Sequence, residues 1–210
     1  MSKGAGPSQT TEQAIVSAAE TLFLERGFAL TSTVEIAKRA GCNQALVHYY
    51  FRSKEKLFEA IFARKLRIFT QALEHVDQGD DVPFEQAIVR LVETHFDMLV
   101  ANPQLPFLIM NELATNPARL KSVQAGLSKD FPKGTVKRLE RRLSAAIKDG
   151  RVRETTLIDI VITALALNVM LFVAAPALKK VLHLTDDAFA ALLRRRRQEN
   201  IEVVLRSLRP

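Results

Sequence analysis

The sequence predicts an all-α protein. Apolar residues recur at spacings of three and four along nearly the whole chain, the breaks between these stretches fall at glycine and proline, and no strand-type alternation survives beyond a few residues. With 210 residues and 48% hydrophobic composition the chain has ample material for a packed core.

Residues 1–9, MSKGAGPSQ, have the small, polar composition of a frayed arm, with Lys3 as its one cation. From Thr11 the residues Ala14, Ile15, Ala18, Ala19, Leu22 and Phe23 form the stripe of an amphipathic helix, which Gly27 ends. The hydroxyls of Thr31, Ser32 and Thr33 are placed to cap a second helix carrying Ile36, Ala37 and Ala40, and Gly41 closes it after about two turns. A third short helix is expected from about Asn43 to Tyr50, and Ser53 is placed to cap a fourth, with Glu55 in its first turn. Two short helices separated by a glycine turn, with a longer one before them, make a helix-turn-helix pattern.

Beyond it the periodicity predicts helices over Leu57–Glu74, Phe84–Val100, Pro106–Thr115, Val136–Lys148, Thr156–Ala175 and Asp186–Leu208, and assigns no element to the stretch up to Asp130. Breaks are expected at GDDVP, NPQLP, NP, FPKG, DG and Pro176. This gives an arm at 1–9, a helix-turn-helix domain at 10–56 and a helical domain at 57–210. The apolar run 157–178 invites a membrane reading, but it carries Asp159, Thr163, Asn168 and a proline, so a helix buried on several sides is expected instead, and no membrane partner.

The excess of 30 Lys+Arg over 23 Asp+Glu points to an anionic partner. A single cysteine, Cys42, and no apolar leader predict a cytoplasmic protein without disulfides, with Cys42 an inert buried thiol. None of the four histidines stands in an HExxH pattern and no glycine-rich phosphate loop appears, so no enzyme activity, cofactor or metal site is expected.

The densest chemistry lies in AGCNQALVHYYFRSK, residues 40–54. Val47 and Phe51 are four apart and face a core, while Asn43, Gln44, His48 and Tyr49 fall largely on other faces, where they are candidates for DNA contact. On a helix in a DNA major groove, Gln44 would pair with adenine, His48 with a base or phosphate, and Ala45 or Leu46 with a thymine methyl; Tyr49 and Tyr50 would reach phosphates. Lys54, in the first turn of the next helix, adds charge where free N–H groups already favour an anion.

This order resembles the DNA-binding domain of the TetR family of bacterial transcription regulators. The likeness runs over residues 14–62 and rests on AAxxLFxxRGF at 18–28, TS at 31–32, IAxxAG at 36–41 and YYFxSKxxL at 49–57. The resemblance implies phosphate contacts from Thr33 and Lys54, and base or backbone contacts from Gln44, Ala45, Leu46, His48, Tyr49 and Tyr50. His48 stands where the family more often has tyrosine, and Val34 where some members carry a base-reading arginine.

Residues 1–62 carry seven Lys+Arg against six Asp+Glu, so one copy would hold DNA weakly and two are expected. The resemblance further implies a homodimer through the last two helices, Thr156–Ala175 and Asp186–Leu208, and a pocket for a small effector. Candidates for its wall are His95, Phe96, Phe107, Met110, Asn111, Asn168 and Phe172, with Thr94 and Met98 nearby, although aromatics and methionines at helical spacing also fit plain core. Asn168 must find a buried neighbour, the dimer mate or a ligand. The run Arg194–Arg197 reads as a solvated or ion-paired face, because consecutive helical residues point in different directions. The function that follows is an effector-released repressor holding a palindromic operator in double-stranded DNA, with an activator or a non-enzymatic helical adaptor as alternatives.

Overall fold

The structure is a computed structural model and describes residues 10–74, 82–115 and 133–210. The expected arm at 1–9 and the unassigned stretch before Asp130 lie outside these residues. Ten helices and no strand are present among the described residues: α1 Thr11–Arg26, α2 Thr33–Ala40, α3 Gln44–Phe51, α4 Lys54–Glu74, α5 Phe84–Ala101, α6 Leu105–Thr115, α7 Lys133–Lys148, α8 Leu157–Val173, α9 Ala175–Val181 and α10 Asp186–Ser207. They divide into two compact units, one of residues 10–66 with 108–115 and one of 67–74, 82–107 and 133–210.

The first unit is built around a helix-turn-helix. Thr10 and Gln13 form a capping box at α1, and Ser32 and Glu35 form another at α2, each satisfying backbone donors that the helix start leaves open. Gly27 (φ 79°) and Gly41 (φ 68°) close the two helices in backbone conformations that side-chain-bearing residues adopt at a cost. Thr31 is buried and donates its hydroxyl to Gly27 O at 2.9 Å, which ties the loop back to the end of α1. The core is aromatic: the Phe58 ring meets Phe23 and Phe28 edge-on, both at 5.2 Å, and stacks on Phe62 at 5.9 Å. Val47 of α3 and Leu108 of α6 pack into the same cluster, and Cys42, a half-buried free thiol, packs against it.

The α3–α4 link holds a backbone feature that the sequence pattern did not announce. Arg52 has φ 64° and ψ −45°, and the Ser53 N–H donates to Phe51 O at 2.6 Å, which makes a γ-turn of the rare, strained hand centred on Arg52. Ser53 then accepts from the Lys56 N–H at 3.2 Å at the start of α4. Arg52→Gly is expected to raise stability by about 1 kcal/mol, the relief of strain outweighing the added freedom of the unfolded chain. Thermal unfolding followed by circular dichroism checks this.

In the second unit α5, α8 and α10 pack on one another around Phe84, Ile88, Val92, Ile160, Ala164, Ile201 and Val204, with α7 contributing Leu143 and Ala146. The expected helix Thr156–Ala175 ends two residues early, and the break expected at Pro176 falls at Ala174, with Pro176 itself in the first turn of an additional helix, α9. A proline is tolerated there because its missing N–H would have had no helical partner. No single helix among the described residues is long and apolar enough to cross a membrane; α8 and α9 together would be, but they are bent by 56° at Ala174.

Candidate nucleic-acid interface

Asn43 precedes α3 and its side-chain oxygen accepts from the Leu46 N–H at 3.0 Å, so it serves as the helix N-cap. One side of α3 is committed to the core, with Val47 1% exposed and Leu46 and Phe51 packed against the same cluster. The other side carries Gln44, Ala45, His48, Tyr49 and Tyr50, all exposed. Ala45 is thus the accessible methyl of the Ala45 and Leu46 pair. Val34, at the second position of α2, is exposed as well.

Three of the candidates are joined. Gln44 Nε2 donates to Thr33 Oγ1 at 2.9 Å and lies 3.5 Å from His48 Nε2, while His48 Nδ1 lies 3.3 Å from Arg52 O. The Tyr49 and Tyr50 rings meet edge-on at 5.2 Å, which leaves Tyr49 the more exposed of the two at 69% against 40%.

Lys54 is placed differently from the solvent-facing cation that its position suggested. Its ammonium is turned inward, donating to Phe28 O at 3.0 Å and Thr31 O at 2.8 Å, and sits 4.2 Å from the centre of the Phe28 ring. It therefore binds the start of α4 to the loop between α1 and α2, using charge-assisted hydrogen bonds and a cation–π contact.

The effector candidates are spread over both units. Met110 and Asn111 belong to the first unit, and Phe107, in the second, is about half exposed. His95, Phe96, Asn168 and Phe172 are buried together in the second unit, where the Phe96 and Phe172 rings meet edge-on at 5.6 Å beside Leu99. An open cleft of about 550 Å³ in this unit is lined by Val82, Pro83, Phe84, Glu85, Arg142, Ala145 and Arg151, and none of the candidates lines it.

Asn168 has buried neighbours for every part of its amide. Its nitrogen donates to Val92 O and His95 Nδ1, both at 3.1 Å, and its oxygen accepts from Asn200 Nδ2 at 2.9 Å. Asn200 also donates to Leu167 O at 3.2 Å and accepts from Arg196 Nη2 at 2.6 Å. A polar chain thus crosses α5, α8 and α10, and it includes a residue the sequence reading did not single out. Asn200 lies on the stripe Phe189, Leu193, Arg197, Asn200, Val204 and Leu208, and its place on that stripe was the available signal.

Arg197 pairs with Asp97 and Glu93 of α5, whereas Arg196 and Arg195 reach Glu199 on their own helix, so the arginine run does form ion pairs in several directions.

Because Asn168 donates to Nδ1, His95 is neutral with its proton on Nε2. Burial pushes its pKa down to about 4. The unfolded chain, with an ordinary histidine near pH 6.5, binds more protons below that pH than the folded chain does. Stability contributed by keeping His95 neutral is complete above about pH 6.5 and is lost as pH falls toward 4. Between pH 8 and pH 5 the loss from this residue is expected to be about 2 kcal/mol. Urea unfolding of the native chain and of His95→Phe at both pH values isolates it, since the variant should lack that part of the pH dependence.

Residues 15–61 match the family model described as "Bacterial regulatory proteins, tetR family". The "HTH-type transcriptional repressor BepR" of Brucella suis is 31% identical over 143 residues, which span 63% of this chain and 67% of that protein. The "Fatty acid metabolism regulator protein" of Bacillus subtilis is 24% identical over 140 residues, 67% of this chain and 70% of that protein. Among solved structures, the transcriptional regulator FadR from Bacillus subtilis in complex with stearoyl-CoA shares the fold, with a TM-score of 0.67 at 18% identity over 94% of this chain and 99% of that one.

Proposed function

The chain belongs to the TetR family of bacterial regulatory proteins, whose members are DNA-binding transcription regulators, and on that premise we propose that it is a repressor that holds a two-fold symmetric operator as a homodimer and leaves it on binding a small apolar or amphipathic effector. The observation that carries the DNA half is α3. Its inner side is locked in an aromatic core while five candidate contact residues stand exposed on the other side, next to the capped start of α2.

A helix offered in this way enters the major groove with its N-terminal residues nearest the base edges, which are Gln44, Ala45 and His48 here. Tyr49, Tyr50 and Thr33 supply hydroxyls for phosphates.

Support for the dimer comes from α8. Ile158, Ile162 and Met170 are more than half exposed and, with the exposed Ala166, form an apolar stripe at a spacing of four, about 18 Å long. Such a stripe on a helix whose other side is core suits a second copy related by a two-fold axis. The pairing helices are then α8 and α10, with α9 between them in sequence.

The repressor sense follows the printed role of the Brucella relative, and the effector class follows the stearoyl-CoA held by FadR. Release needs tighter effector binding to a dimer state whose two α3 helices no longer match one turn of DNA, about 34–36 Å. Selection from random DNA is expected to recover a palindrome, and stearoyl-CoA, but not CoA alone, to dissociate the complex. Enrichment of no sequence sinks the DNA reading; release by neither compound sinks the acyl part alone.

A further inference from the structure

We infer that His48 and Thr33 are positioning residues that fix the Gln44 amide with its oxygen outward, so that Gln44 reads a base by its amino hydrogen, accepting adenine and cytosine alike. This rests on the placement of α3 in the major groove proposed above. Arg52 O, 3.3 Å from His48 Nδ1, has only lone pairs to offer, so Nδ1 is the nitrogen that carries hydrogen. In a neutral ring Nε2 is then an acceptor. The Gln44 group 3.5 Å from it must be the NH₂, which settles the amide's orientation. The same nitrogen donates to Thr33 Oγ1 at 2.9 Å.

Both amide hydrogens are committed inside the protein, one across α2 and α3 and one along α3. Among the described residues the oxygen has no partner and is the end left for DNA. The γ-turn at Arg52 is part of the device, because it sets the direction of the carbonyl that selects the His48 tautomer.

A freely turning glutamine favours adenine, donating to N7 while accepting from N6. An outward oxygen alone meets the N6 amino group of adenine or the N4 amino group of cytosine, and on the same strand guanine and thymine offer it only acceptors. The expected half-site position is therefore degenerate between A and C.

Two measurements test this. In DNA-free protein at pH 8, ¹⁵N NMR of His48 should show the Nδ1–H tautomer; an Nε2–H tautomer overturns the inference. In selection from random DNA, Gln44→Ala marks the base pair that Gln44 reads, as the position whose preference flattens. At that position the native chain should enrich A and C within about threefold of each other and each about tenfold over G and T.

The double variant Thr33→Val/His48→Phe frees the amide and should narrow the preference to A, about fivefold or more over C. Profiles are compared after normalising for affinity, because both residues also stand among the candidate DNA contacts, and circular dichroism confirms folding. Adenine alone in the native profile, or a double variant with the native profile, overturns the inference and leaves the DNA reading standing. Enrichment of no sequence removes both.

Discussion

Replacing Asn168 by leucine is expected to destabilise the protein by about 3 kcal/mol. The side chain is 0% exposed and uses both hydrogens and its oxygen within the second unit, so leucine gains nothing from solvent and removes one hydrogen bond each from Asn200, His95 and Val92. The cost arises less from bonds lost than from buried polar groups left without replacement partners. Replacing Asn168 and Asn200 together by leucine should therefore cost less than the two single changes added, because the hydrogen bond between the two amides is lost only once. Arg196 keeps Glu199 in that variant. Urea titrations of the four proteins measure the coupling; simple additivity would mean that the two amides do not act as a unit. The same experiment bears on function, since an Asn168 so fully occupied at home has no group left for a ligand unless the chain of hydrogen bonds opens.

Lys54→Met is expected to cost about 3 kcal/mol and to weaken DNA binding through the fold of the first unit. Methionine keeps the length and apolar stem but loses two charge-assisted bonds to Phe28 O and Thr31 O and the contact with the Phe28 ring. Those carbonyls belong to the loop that leads into α2, so the change loosens the element that carries Thr33 and braces Gln44. A lysine acting instead through a phosphate would leave unfolding unchanged and flatten the salt dependence of DNA binding by about one phosphate contact per chain. Unfolding in the absence of DNA separates the two roles.

The helix-turn-helix was legible in the sequence because every device it needs is local. Capping hydroxyls, two glycines with positive φ and apolar spacing fixed the bounds of α1, α2 and α3 to within about two residues. The exposed face of α3 was legible for the same reason. What was not legible depends on residues far apart in the chain. The inward turn of Lys54 is set by carbonyls 23 and 26 positions away, and the partners of Asn168 lie 32, 73 and 76 positions away. The break beside Pro176 was legible but helix α9 was not, because proline both stops a helix and starts one, and the sequence alone does not say which side of it is helical. Chemistry and helical spacing, the marks of the effector candidates, are shared by core and ligand wall, and Phe96 and Phe172 are packed on each other as core residues are.

Two copies of this chain are expected to hold one two-fold site through their α3 helices. Sedimentation velocity of the native protein with its selected DNA, at 50 and 200 mM salt, tests it most directly. Two chains per site are predicted, with affinity falling by about a thousandfold between the two salt concentrations if each copy neutralises about three phosphates. One chain per site, or an affinity indifferent to salt, would contradict the account.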